Sequence, residues 1–255
     1  YKVTGVQTCA LPILLAFFGL LIWFSPDCAL FAFGDELRLA TETCFSTVLL
    51  GGLTLSLLAS CSSTQEEIES KTLLTLLSKP LQRFEFVIGK YLGSFFIAFL
   101  ATLILVGIFC LMAHTRTLET PLARMLRIEL TTYQGLGVIL LFMESAVILA
   151  FSIMIAPFVS LQINLCLSLA FMVLGNISHL VENAFTSGDG ILNYLLMALF
   201  YFIPDFTIYN LGDLLATGYA VPNLHSYTLT ALFYTLCFLS AILSIAILIF
   251  RRKEI

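Results

Sequence analysis

The sequence predicts an all-α fold: a polytopic bundle of six membrane-spanning helices, with one further apolar helix too short to cross and one polar helix on an aqueous face. Two observations carry this. Of the 255 residues, 60% are hydrophobic and 11% charged, with a mean hydropathy of +1.02. A soluble domain is about 45–50% apolar and about 25% charged, and no soluble fold of this size has the interior to hide such an excess. The apolar residues also fall in runs near the roughly 20-residue length that crosses a bilayer as a helix, and the charges sit mainly between the runs. Composition therefore excludes a soluble enzyme, a nucleic-acid binder and a disordered chain. The net charge of −4 carries no message about nucleic acid.

The first run, residues 14–24, is a stump of a span. Before it, Val3-Thr-Gly-Val-Gln-Thr-Cys-Ala-Leu-Pro-Ile13 resembles the in-frame translation of a common sequencing-adapter oligonucleotide. Residues 1–13 are therefore expected to be a scar, and 14–255 a single transmembrane domain truncated at its N-terminus. A loop with Pro26, Asp27, Asp35 and Glu36 leads to the second span, 41–61, which contains Gly51 and Gly52. The segment 62–83 is polar. The third span is 84–112, the fourth 135–156 and the fifth 161–180, the last two divided by a turn at Pro157; the final span, 227–250, ends at Arg251-Arg252-Lys253. The run 191–203 has thirteen residues and stops at Pro204, which suits a re-entrant or interfacial helix.

Six crossings put both termini on one side. With the C-terminus cytoplasmic, seven Lys and Arg lie inside and four outside, a modest positive-inside bias. Two of the outer four, Arg124 and Arg127, sit opposite Leu122, Met125, Leu126 and Leu130 in a helical register that begins at Thr120-Pro121. That pattern predicts a short amphipathic helix on the membrane surface. Excluding Cys9, the six cysteines form no CxxC or metal spacing, so no disulfide, metal or cofactor is expected.

In the polar segment, Ser63 with Glu66 and Thr64 with Glu67 form overlapping capping boxes. They predict a helix that starts there, carries Ile68, Leu73, Leu76 and Leu77 on one stripe and closes before Pro80. Gly89 and Gly93 form a G-x-x-x-G that permits close helix contact in the third span. Glu144 stands midway along the fourth span, where an ionisable group is expensive, so it should face the protein interior. It could line a substrate path or make a structural hydrogen bond to Ser145 or another span. His179, Glu182 and Asn183 make a weak metal constellation, better read as interfacial. Asp205 and Asp213 read as turn and cap residues.

The stretch from Glu67 to Lys90 resembles the signature of type-2 ABC transporter permeases, and is most similar to the branch linked to multicopper-enzyme maturation. The matching positions are the acidic pair Glu67 and Glu69, Thr72, the Leu-Leu-Ser-Lys-Pro run ending at Pro80, Arg83, and Gly89-Lys90. The resemblance implies a multi-pass permease of the cell (inner) membrane that is not itself an enzyme. It also implies a separate ATPase subunit on the cytoplasmic face and a second permease copy or paralogue as dimer partner. The coupling helix would comprise Glu66, Glu67, Ile68, Glu69, Thr72, Leu73, Leu77 and Ser78, followed by Pro80 and Arg83. The chain has no G-x-x-x-x-G-K-[ST] sequence with which to hold ATP itself.

A second motif reading competes. CAAX-type intramembrane proteases pair Glu-Glu-x-x-x-Arg with a distant His-x-x-x-Asn, and this chain has Glu66-Glu67-x-x-x-Lys71 and His179-x-x-x-Asn183. The Lys replaces the Arg, and six crossings put the two halves on opposite faces. A non-transporting membrane anchor is the third reading.

Overall fold

A computed structural model of the chain describes residues 2–29, 36–69, 83–116, 121–185, 204–210 and 224–252. Among these the fold is helical throughout: α1 (Lys2–Ala29), α2 (Glu36–Glu69), α3 (Arg83–Arg116), α4 (Pro121–Ile155), α5 (Leu161–Phe185), a single 3-10 turn at Phe206–Tyr209, and α6 (Leu224–Arg252). Among the described residues five stretches are long and apolar enough to cross a bilayer: Glu42–Cys61, Phe84–Met112, Gly135–Ile155, Leu161–Ser178 and Ser226–Ile249; Leu11–Ser25 in α1 is a shorter apolar helix. The bundle is thus polytopic and helical as expected. The run 191–203 lies outside the described residues.

Helices α2 and α4 form the centre. Their apolar windows are each 61% buried, against 17% for α6, which is therefore peripheral. Helix α2 packs on α1, α3, α4 and α5, and α4 also packs on α3, α5 and α6. The buried apolar layer runs through Ile22, Val48, Leu53, Leu57, Leu105, Leu140 and Ile148. Outward, large side chains such as Phe96, Leu229 and Phe233 are exposed; in a membrane these are the surfaces that lipid covers.

Close approach in the centre is set by Gly51 and Gly52 of α2. A Cβ on Gly51 would stand 2.7 Å from Leu105 Cδ1 and 2.9 Å from the Phe18 ring, and one on Gly52 would run into the Thr102 methyl. Without a driving force between apolar surfaces in lipid, such backbone proximity and the dispersion it permits hold helices together. The Thr102 hydroxyl turns back to its own helix, donating to Ala98 O at 2.8 Å, so the methyl is what seats on glycine. Paired contacts fix the sense of the bundle. Gly52 meets Thr102, Ser94 meets Ser60, Phe99 meets Phe142 and Tyr91 meets Ala146, so α2, α3 and α4 alternate in direction.

Two sequence expectations are corrected, and a third feature finds no partner among the described residues of the chain. Ser63 and Thr64 do not open a helix, because α2 runs unbroken to Glu69. No Gly or Pro follows Gly52 until Pro80, and extending a helix costs less than nucleating a new one. For the same reason the amphipathic stretch after Pro121 is the first third of α4 rather than a separate surface helix; at 1.5 Å per residue α4 is about 52 Å long, well beyond the hydrocarbon. The G-x-x-x-G of α3 makes no helix contact among the described residues: a Cβ on Gly89 or Gly93 would meet nothing within 4 Å.

These glycines make a paired test. Gly52→Val should lower the melting temperature of the detergent-solubilised protein, corresponding to a loss of about 1–3 kcal/mol from overpacking, although helix propensity alone favours replacing glycine. Gly89→Ala and Gly93→Ala should leave it unchanged or raise it. Equal behaviour of the two sites in a thermal-shift assay would contradict the packing assigned to Gly52.

Candidate functional site

Three features could serve a function: a polar cluster beside the α4–α5 turn, a carboxylate at mid-membrane, and the segment that joins α2 to α3. The first forms because α4 ends at Ile155 and a tight turn reverses the chain. Ala156 N–H still reaches Ser152 O, and Phe158 N–H reaches Ile155 O, both at 2.9 Å. Pro157 cannot extend the helix. The reversal sets Ser152 against Asn164, one turn into α5. Asn164 is 1% exposed and its amide is fully used: Nδ2 donates to Cys61 Sγ at 3.1 Å and to Ser152 O at 3.2 Å, while Oδ1 accepts from the Ser152 and Ser168 hydroxyls at 3.3 Å each. Three helices, α2, α4 and α5, are thereby pinned at one level. Nearby, Ser94 of α3 donates to Ser60 of α2 at 2.8 Å.

Glu144 faces the interior, as its depth in the fourth span predicts, and is 4% exposed. Its partner is not Ser145, whose hydroxyl donates to Phe142 O, but Asn176 of α5, whose Nδ2 reaches Glu144 Oε1 at 3.1 Å and Met172 O at 3.0 Å. Among the described residues Asn176 is the donor this carboxylate has. The segment Pro204–Asn210 lies against the same region. Asp205 caps its 3-10 turn, accepting from Thr207 N–H at 3.0 Å and the Thr207 hydroxyl at 2.7 Å, and receives the Ser178 hydroxyl at 3.3 Å. Asp205 is thus the turn and cap residue the sequence suggests; Asp213 lies outside the described residues. Phe206 is fully buried because Gly175 leaves room for its ring.

Of the sequence-predicted coupling residues, Glu66, Glu67, Ile68 and Glu69 occupy the last turns of α2, and Arg83 opens α3. Thr72, Leu73, Leu77, Ser78 and Pro80 lie outside the described residues. Carboxylates at a helix C-terminus oppose the macrodipole by about 0.3–1 kcal/mol each, and no basic residue occupies the last turn to offset them. Lys90 of the same signature sits 5.4 Å over the Phe86 ring. The protease-like pattern is not assembled. Cys61 and Asn164 mark a common level from which α2 and α5 run apart in opposite senses. Glu66 and His179 are therefore about 30 Å apart along the bundle axis, far beyond sharing one ion.

Sequence reading found Glu144 but missed Asn164, Asn176, Ser152 and Gly175. The two asparagines carried a signal: an amide inside an apolar run needs an internal partner at membrane depth.

The Glu144–Asn176 pair can be tested by a double-mutant cycle. Asn176→Leu should cost about 1–3 kcal/mol, since it strips a buried acceptor of its donor. Adding Glu144→Leu should restore part of that loss. Strictly additive effects in thermal or chemical unfolding would mean that the two side chains do not depend on each other.

Comparison with protein-family models matches residues 10–255, nearly the whole chain, to the ABC-2 family transporter protein. No curated protein matches it. The family match agrees with the multi-pass helical bundle and with the signature between Glu67 and Lys90. The chain belongs to the ABC-2 family of transporter proteins, whose members of this kind are the membrane-embedded permeases of ABC transporters.

Proposed function

We propose that the chain moves substrate across the cell (inner) membrane on the power of a separate ATPase subunit that docks at the segment from Glu66 to Arg83. The observation that carries this is where that segment is attached. It joins α2 to α3, and those two helices are held close by the seating of the Thr102 methyl on Gly52, together with the Ser60–Ser94 bond. α2 in turn is pinned to α4 and α5 through Cys61 and Asn164. A displacement applied beyond Glu69 is therefore delivered to four helices through short, packed connections.

The polar face of the segment, with Glu66, Glu67 and Glu69, suits a basic surface on the partner; the cytoplasmic side is assigned by the seven Lys and Arg that accompany it. A second permease copy or a paralogue completes the proposed transporter, as the family resemblance implies. The likeness of residues 67–90 to the copper-enzyme-maturation branch supports a link to that pathway, and rests on that stretch alone.

Charge reversal tests the docking surface. Glu67→Lys with Glu69→Lys should cost about 2–5 kcal/mol of partner affinity if either carboxylate is desolvated in a pair. The expected result is loss of ATPase co-purification and of stimulated ATP hydrolysis at matched expression in the same detergent. Arg124→Glu, in the first turns of α4, should leave both intact. Retention by the double reversal with loss in Arg124→Glu would mean an inverted topology or a misassigned docking segment.

A further inference from the structure

The way the Pro204–Asn210 segment is held differs on its two sides. Towards α4 and α5 the contact is apolar and interlocked. Phe206 fills the notch over Gly175 and stands edge-on to Phe171, with centroids 5.7 Å apart at 85°. Phe171 stacks on Phe151 of α4 at 3.9 Å and 7°. Towards α6 the fastening is by hydroxyls. The Asp205 N–H donates to the Tyr234 hydroxyl at 2.8 Å, the Tyr209 and Thr235 hydroxyls bond at 2.8 Å, and the Tyr227 hydroxyl donates to Ile208 O. The segment therefore belongs mechanically to α4 and α5, and α6 is tied to it by three exchangeable bonds.

Two more facts give this asymmetry a purpose. α6 is the least buried of the described spans: its inner face packs on α4 and α3, while its outer face carries no protein among the described residues. Behind the seam lies the one ionisable side chain that α4 carries within its span, Glu144; it is within electrostatic reach of Tyr209 and hydrogen-bonded to Asn176. Non-helical backbone at membrane depth is tolerated only where protein buries it or where it lines a water-filled cavity. Here protein covers it at Pro204, Phe206 and Tyr209, with Asp205, Thr207 and Ile208 half-buried and Asn210 exposed, and parting at α6 is the movement that would turn the first condition into the second.

We propose that the seam between the Pro204–Asn210 segment and the N-terminal half of α6 is a gate. It is closed in this structure by the hydroxyls of Tyr227, Tyr234 and Thr235, and its opening admits water and substrate to Glu144 and Asn176. Glu144 and Asn176 then form the polar end of a substrate path that accepts a hydrogen-bond donor or a cationic group. The role in transport rests on the permease reading; the gate itself does not.

Aqueous access to Glu144 can be read directly. The purified permease, without any ATPase, is treated with a quaternary, water-soluble carbodiimide and glycine ethyl ester, and modified carboxylates are quantified by peptide mass spectrometry. Exposed Glu85 serves as the internal reference. In the unaltered protein Glu144 should react far more slowly than Glu85. Tyr234→Phe keeps the ring and removes one fastening, and should raise the Glu144 rate roughly fivefold; Tyr227→Phe, Tyr234→Phe and Thr235→Val together should raise it on the order of a hundredfold. Ser240→Ala, whose hydroxyl bonds its own helix at Cys237 O, should change nothing.

Glu144 reacting as fast as Glu85 in the unaltered protein would overturn the gate. So would a folded triple variant no faster than Ser240→Ala. Should the triple variant fail to fold, Tyr234→Phe alone decides by the same criterion. Because no ATPase enters the measurement, loss of partner binding in the charge-reversal test leaves this result standing, and failure here leaves the docking segment standing.

Discussion

Every polar atom that the bundle carries into the hydrocarbon has to find its partner inside the protein, since no water is there to supply one. That constraint organises the structure. Single hydroxyls meet it locally: Thr47, Thr54, Thr102 and Ser244 donate to carbonyls three or four residues back in their own helices. Amides and carboxylates cannot be satisfied so cheaply, and they become the cross-links. Asn164 uses both donors and its acceptor on α2, α4 and its own helix. Asn176 joins α5 to Glu144, and Asp205 ties a non-helical segment to α5. These bonds specify which helices neighbour one another and in which register, a decision that uniform apolar surfaces in lipid leave open.

Packing then supplies the stiffness that transport requires. Gly51 and Gly52 let Phe18 of α1 and Leu105 and Thr102 of α3 seat directly on α2, and α2 leads without interruption from that contact to Glu69, at the edge of the proposed docking segment. A push at the polar end of α2 arrives at its glycine pair along one continuous helix. The peripheral α6 is the opposite case: little buried and fastened at its N-terminal half by hydroxyls. In the proposed transport cycle the centre would receive force from the docking segment, and the hydroxyl seam at α6 would be where the bundle yields.

Much of this could be read from the sequence, for physical reasons. For the second to the sixth span, the limits expected from hydropathy fall within two residues of the apolar stretches in the structure, because bilayer thickness fixes the length of a crossing whatever the fold. The inward orientation of Glu144 followed from its depth alone. Its partner did not: pairing it with Asn176 depends on the α4–α5 register, which Pro157 and the turn after Ile155 set and which no periodicity encodes. A helix start was misread at Ser63, where the local capping signals were real but a helix already under way overrode them; at Pro121 the start was read correctly, and what was missed is that the amphipathic stretch runs on into the fourth span as one helix. The Gly89–Gly93 spacing permits a close contact, and only the tertiary arrangement says whether a neighbour is there; among the described residues of this chain none is. Gly175 gave no signal at all, since its role is defined by Phe206, thirty-one residues away in the chain.

Whether the ATPase subunit engages the permease at the segment leaving α2, as proposed, can be read by site-specific photocrosslinking. A photoreactive amino acid replaces Ile68 in one protein and Arg124 in another, each is irradiated in intact cells, and the adducts are identified by mass spectrometry. The account predicts that position 68 captures a polypeptide carrying a G-x-x-x-x-G-K-[ST] nucleotide-binding sequence and that position 124 does not. Capture of that subunit from position 124, with none from position 68, would contradict it.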